Sequence, residues 1–119
     1  VLQDRSSCLS AIALSPPRGA VCIDTCASPG NKTLHMASLM GAGTVTAFER
    51  DPARLATLKR RIGEQGGSAI VTARGGDFMQ ADTSSDGEFA TVSHVLIDPT
   101  CSGSGVLAAY EAGAARASE

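Results

Sequence analysis

Aromatic side chains are scarce in this chain: 3 % of its 119 residues, with one tyrosine and no tryptophan. A core must therefore come from Ala, Val, Ile and Leu, which suits strands covered by helices. No apolar run approaches the roughly 18 to 20 residues of a membrane-spanning helix, so no membrane partner is expected. Histidine is limited to His35 and His94, and the four cysteines, Cys8, Cys22, Cys26 and Cys101, are too few for a disulfide framework. Cys22 and Cys26 stand in a strand-like run without the turn a zinc pair uses, and both histidines are far away along the chain, so no metal is expected. The cysteine usage and the lack of a secretory leader pattern point to a reducing, intracellular setting. A surplus of positive charge is missing too. Ten basic against 12 acidic residues leave a net charge of −2, which excludes strong phosphate-backbone binding by this stretch alone. What remains is a chain 43 % hydrophobic, enough for one small folded domain.

Strands and helices alternate along it. DRSSCLSAIAL predicts a helix that stops before Pro16 and Pro17. Ala20–Asp24 (AVCID) reads as a buried strand, and TLHMASLM as a helix closed by Gly41 and Gly43. Thr44–Glu49 is a second strand. The next helix has Asp51 as N-cap, Pro52 at its first position and Gly66–Gly67 as its stop, with Leu55, Leu58 and Ile62 on one face. Ser68–Ala73 is a third strand and Val92–Asp98 a fourth, with a polar stretch from Phe78 to Thr91 that holds at most one helical turn. This order means right-handed βαβ units and a parallel sheet of about four strands, an α/β fold.

An acid ends or closely follows each strand: Asp24, Glu49, Asp77 and Asp98. In open α/β sheets ligands bind beyond the carboxyl ends of the strands, so these acids converge on one crevice. Glu49 stands where an acid commonly holds the hydroxyls of a nucleotide ribose. The first strand-to-helix turn, running from Asp24 to Thr33, has only Gly30 and so lacks the dinucleotide fingerprint. It is also a near miss to the P-loop: Asn31 separates Gly30 from Lys32 and Thr33, and no glycine opens the loop. Nucleoside triphosphate binding is therefore rejected.

The same turn, D-T-C-A-S-P-G-N-K-T, resembles motif I of the Nop/Sun family of RNA cytosine-5 methyltransferases. Other segments match that family in order: LQDRSSCL before motif I, AFERDPARL as motif II, GDF (Gly76 to Phe78) as motif III and IDPTCSGSG (Ile97 to Gly105) as motif IV. The usual motif IV is D-[AP]-P-C-[ST]-G-x-G. The form here is closest to the eukaryotic subgroup that methylates large-subunit ribosomal RNA. The resemblance implies a Rossmann-like methyltransferase fold with strand order 3-2-1-4, with residues 1–119 as the cofactor-binding part of a catalytic domain. It also implies S-adenosylmethionine as cofactor and RNA, ribosomal RNA by subgroup, as a partner held largely outside this stretch. A nuclear or nucleolar location follows if the source is eukaryotic, and a cytoplasmic one otherwise.

By position, the family's cofactor contacts fall on Cys26, Ala27, Ser28, Pro29, Gly30, Asn31, Lys32, Glu49, Asp77 and Asp98. Glu49 would take the ribose hydroxyls, Asp77 the adenine amino group with Phe78 packing on the ring, and Asp98 the cytosine edge. Lys32 is either a helix-start residue near the pocket or a direct contact. Cytosine C5 accepts a methyl group only after a thiolate has added to C6. Two cysteines share this work in the family, and by resemblance Cys101 assists release while the nucleophile lies in a later Thr-Cys motif. The catalytic residues carried over are thus Cys101 and Asp98. Two other readings stand beside this one: a methyltransferase of another substrate class, against which motif IV speaks, and a non-catalytic relative that binds RNA or serves ribosome assembly.

Cys8 and Cys22 read as buried hydrophobes, His35 as surface and His94 as core or edge. The chain starts at Val1 in what reads as a structured segment and is expected to be a piece of a longer protein. A fourth strand at an unprotected edge would leave this piece alone marginally stable and prone to aggregate. Thermal unfolding checks that: a broad, low transition with aggregation is expected, and a sharp monomeric melt at high temperature contradicts it.

Overall fold

The computed structural model describes residues 5–99. Helix α1 (Arg5–Leu14) leads to strand β1 (Val21–Asp24), helix α2 (Asn31–Met40), strand β2 (Thr44–Glu49), helix α3 (Pro52–Glu64), strand β3 (Val71–Gly75) and strand β4 (His94–Leu96). The strands form one parallel sheet in the order β3-β2-β1-β4. Order, direction and element types are as the sequence predicts.

The register divides the sheet into two faces. Cys22, Val45 and Val71 lie side by side across β1, β2 and β3, and they form a buried core with Ala47 of β2, Leu58 and Ile62 of α3, Met36, Ala37 and Met40 of α2, and Ala11 of α1. Ala, Val, Leu and Met thus do the work that aromatics do elsewhere. Burial pushes the Cys22 thiol up from its ordinary value, as expected for a thiol held in an apolar core.

Helix ends follow local chemistry. Asp51 caps α3 by accepting the Arg54 N–H at 2.8 Å, with Pro52 at the first position. Helix α2 starts two residues before the predicted Thr33, because Gly30 adopts a positive φ and acts as its cap. Helix α1 ends where Ser15 turns to a φ of 42° ahead of the two prolines.

Strands β1, β3 and β4 differ in their bounds from the sequence reading, β3 also running past Ala73 to Gly75. β1 begins at Val21 rather than Ala20. β3 begins at Val71 rather than Ser68, since Gly66 at φ 69° opens a 3₁₀ turn over Gly67–Ala69 that consumes the start of the run. β4 is confined to His94–Leu96, because Val92 is turned back by a bond from its N–H to the Phe89 carbonyl. A second 3₁₀ turn, Phe78–Gln80, supplies the one helical turn of the polar stretch.

Gly43 shows how tightly β1 and β2 are joined. Its φ is 117°, and a Cβ there would stand 2.4 Å from the Ala20 carbonyl oxygen. Gly43→Ala is therefore expected to destabilise the protein by about 2 kcal/mol or more. Gly19→Ala, at a similar φ with nothing within 4 Å, bears only the conformational strain of about 1 kcal/mol. Denaturant unfolding of the two variants checks the ordering.

Candidate functional site

The site is built on the turn that leaves β1. Asp24 ends the strand 1 % exposed, and both its carboxylate oxygens are engaged. Oδ1 accepts the Cys26 N–H at 3.2 Å and Oδ2 accepts the Thr33 hydroxyl at 2.7 Å. The turn is also tied to both neighbouring strands: the Thr25 N–H donates to the Leu96 carbonyl and the Ala27 N–H to the Phe48 carbonyl. Gly30 then swings the chain into α2 at φ 104°, and a Cβ there would meet Leu58 Cδ1 at 2.9 Å. The first N–H groups of α2 have no partner within the helix and carry its positive dipole end.

Two adjoining clefts, each of about 200 Å³, open at this end of the sheet and share Cys26. The first is lined by Asp24, Cys26, Ala27, Ser28, Pro29, Asn31, Lys32 and Asp98, and by Ser7 of α1. Lys32 pairs with Asp98 across it. The second is lined by Thr25, Cys26, Phe48, Glu49, Arg50, Arg54, Gly76, Asp77, Phe78 and Pro99. Glu49 is buried there, accepting the Asp51 N–H at 2.9 Å through Oε1 and facing Arg54 Nε at 3.5 Å through Oε2. Asp77 caps the Phe78–Gln80 turn through the Met79 N–H, and Phe78 meets Phe48 edge to face at 5.4 Å.

Of the predicted cofactor contacts, all but Gly30 line one of the two clefts, and Gly30 sits in the turn that borders the first. Cys101 lies outside the described residues. Asp24 differs from the sequence reading: it borders the first cleft, yet its oxygens are committed to holding the turn. Phe48, Ser7, Arg54 and Arg61 are among the residues missed, Phe48 lining the second cleft. Ser7 reaches the first cleft from α1. Arg54 ties the turn to α3, its Nη2 donating to the Ser28 carbonyl at 3.5 Å while the Ser28 hydroxyl donates to the Arg54 carbonyl at 3.3 Å. Arg61 Nη1 reaches the Pro29 carbonyl at 3.4 Å. Only their recurrence on one face of α3, at a separation of seven, could have hinted at the two arginines.

A third cleft is larger, about 590 Å³, and lies between α1, α2 and the turn after α3. Its lining includes no Asp, Glu, Lys or Arg, so it offers no acid to a ribose. Cys8 and His35 line it half-buried, which corrects both readings: Cys8 is not a core thiol, and His35 is not a surface residue. Among the described residues, no group of three or more His, Cys, Asp or Glu could hold a metal ion, and no helix is long and apolar enough to cross a membrane.

Residues 11–115 match the family model described as 16S rRNA methyltransferase RsmB/F. The chain is 44 % identical over 108 residues to a 28S rRNA (cytosine-C(5))-methyltransferase of Mus musculus, covering 90 % of this chain and 23 % of the mouse protein. It is 42 % identical over 109 residues to the 25S rRNA (cytosine-C(5))-methyltransferase rcm1 of Schizosaccharomyces pombe, with the same coverage. The chain thus spans about a quarter of the length of these relatives. Among solved structures it resembles that of PH0851, with a TM-score of 0.78 at 32 % identity over 90 % of this chain and 24 % of that one. It also resembles NSun6 from Pyrococcus horikoshii with SFG, with a TM-score of 0.58 at 32 % identity over 63 % of this chain and 20 % of that one. A SAM-dependent O-methyltransferase of Thermotoga maritima shares the fold alone, with a TM-score of 0.62 at 21 % identity over 71 % of this chain and 32 % of that one. The fold is Rossmann-like.

The buried carboxylate yields a pH-dependent prediction. Burial, the largest influence, pushes the Asp24 carboxyl above its ordinary value, while the Thr33 hydroxyl and the Cys26 N–H pull it back. A raised folded pKa makes Asp24 most favourable to folding below the ordinary carboxyl range, with that contribution lost as pH rises through the folded value. Thr33→Val removes a bond to the ionised form. It is expected to cost about 1 to 3 kcal/mol at neutral pH, and less as pH falls through the folded pKa. Thr33→Ser keeps the hydroxyl and stays near wild type in the same unfolding series.

Proposed function

The chain belongs to the 16S rRNA methyltransferase RsmB/F family, and from that premise we propose that it is the cofactor-binding part of an enzyme that methylates C5 of cytosine in RNA. Ribosomal RNA is the proposed substrate, supported by the names of the mouse and fission-yeast relatives. An intracellular site of action follows from that substrate, the nucleolus if the source is eukaryotic. RNA would be gripped largely by parts of the protein outside this chain, since the net charge of −2 offers little to a phosphate backbone.

One observation carries the cofactor reading: a buried acid, a helix N-terminus and an aromatic wall meet along one two-lobed cleft at the carboxyl ends of the strands. These residues suit S-adenosylmethionine. Glu49 would accept the ribose hydroxyls, with Arg54 holding its other side. Asp77 and Phe78 would receive the adenine, the first by its carboxylate and the second by its ring. The N-terminus of α2, with Asn31 and Lys32, would face the methionine carboxylate, and the turn from Cys26 through Gly30 would lie against the chain between. When bound, S-adenosylmethionine supplies an electrophilic methyl group.

The remaining work belongs to the protein. Asp98 is half-exposed at the mouth of the first lobe and paired with Lys32, and its carboxyl oxygens would accept from the amino edge of a cytosine. Lys32 thereby has a part in both readings the sequence leaves open, as a helix-start residue and as a contact. Cys101 follows Asp98 by three positions. We assign it, by resemblance, the release of the methylated base after the nucleophilic thiol has added to C6 and the C5 proton has been removed. The target base must leave any stack to reach that place.

The test uses the full-length protein with ribosomal RNA and labelled S-adenosylmethionine. Methyl transfer to cytosine is expected, and Glu49→Gln should raise the KM for the cofactor about tenfold or more, the scale of a hydrogen bond to a charged group. Cys101→Ala should lose turnover while still forming a covalent adduct with RNA containing 5-azacytosine. Loss of that adduct would make Cys101 the nucleophile. No transfer and no adduct from wild type would favour a non-catalytic, RNA-binding relative.

A further inference from the structure

The structure assigns to Arg74 a part in cofactor binding that acts through the aromatic wall. This rests on the proposal that the second lobe holds an adenosine.

Arg74 stands beside Phe48 in the β2–β3 ladder, on the sheet face opposite α2 and α3. Its guanidinium carbon lies 5.4 Å from the centre of the Phe48 ring and 5.3 Å from that of Phe89. Its Nη1 donates to Glu88 Oε2 at 2.6 Å. A planar cation is thus set against two rings and anchored by a carboxylate, an arrangement that guanidinium suits and ammonium does not.

Both ends of this clamp matter to the lobe. Phe48 meets Phe78 edge to face at 5.4 Å, and both rings line the lobe with Glu49 and Asp77. Phe89 meets Phe48 edge to face at 5.8 Å. Phe89 and Glu88 belong to the polar crossover before β4, whose backbone bonds are local: Gly87 N–H to the Ser84 carbonyl and Ala90 N–H to the Gly87 carbonyl. Turns of that kind bond a segment to itself and leave its place on the sheet to side chains. Arg74 supplies that place. It holds Phe89 against Phe48, and Phe48 in turn fixes the ring of Phe78 at the proposed adenine seat.

Arg74 is therefore a positioning residue for adenine, without touching it. The experiment measures binding of S-adenosylhomocysteine and of adenosine to the full-length protein, with steady-state methylation alongside. Arg74→Met is expected to weaken both ligands by a similar factor of about ten, the scale of two cation–ring contacts, and to raise the KM for cofactor while kcat at saturation is kept. Arg74→Lys keeps the charge and the pairing with Glu88, and should lose less. Arg60→Met, on the exposed face of α3, should leave binding unchanged. If Arg74→Met proves unstable, Arg74→Lys and Glu88→Gln carry the test. Wild-type affinity in these variants, a fall in kcat with KM unchanged, or an equal loss in Arg60→Met overturns the inference. A wild-type protein that binds neither ligand overturns the adenosine reading itself, and this inference with it.

Discussion

A single buried carboxylate organises the functional end of this molecule. Asp24 sits at the last position of β1, out of water, and can stay there only because the Cys26 N–H and the Thr33 hydroxyl take up its two oxygens. Those two partners lie on opposite sides of the loop, one at its start and one in the first turn of α2. Satisfying the acid therefore fixes the loop, and the loop fixes where α2 begins. The helix N-terminus, with its unpaired N–H groups, is aimed across the strand ends as a consequence.

The rest of the cleft is assembled around that turn by polar contacts rather than by apolar packing. Arg54 and Arg61 of α3 reach the carbonyls of Ser28 and Pro29, and Arg54 faces Glu49 as well. The helix that follows β2 is thus stapled to the loop that follows β1, and the buried acid between them keeps its orientation. On the other side, Lys32 and Asp98 join α2 to the chain leaving β4. Apolar burial holds sheet and helices together through small side chains, with Cys22, Val45 and Val71 in one row. The aromatic residues among those described, Phe48, Phe78 and Phe89, meet at the second lobe. In a chain this poor in rings, that clustering points to a seat for a flat ligand rather than to core filling.

Much of this was legible in the sequence, because it depends on neighbours along the chain. The alternation of strands and helices, the Asp51–Pro52 start of α3 and an acid, Glu49, at the end of β2 follow from local pattern and spacing. The strand order follows from the resemblance of ordered motifs. What escaped depends on residues distant in sequence. Asp24 reads as one more acid at a strand end, and only its two buried hydrogen bonds show it to be a structural fixture. The half-buried places of Cys8 and His35 result from α1 meeting α2, which neither helix announces. Arg74 looks like a surface cation on a strand until the crossover folds Phe89 and Glu88 over it. The start of β3 was misplaced because a glycine-led 3₁₀ turn took up the serine and alanine of an otherwise strand-like run.

The most direct measurement is a crystal structure of the full-length protein with S-adenosylhomocysteine bound. The account predicts the adenine between Asp77 and the Phe48–Phe78 wall, the ribose hydroxyls on Glu49, and the amino-acid end at the start of α2 beside Asn31 and Lys32. A ligand seated instead in the larger cleft beside His35 and Ile70, or with its ribose away from Glu49, would contradict it.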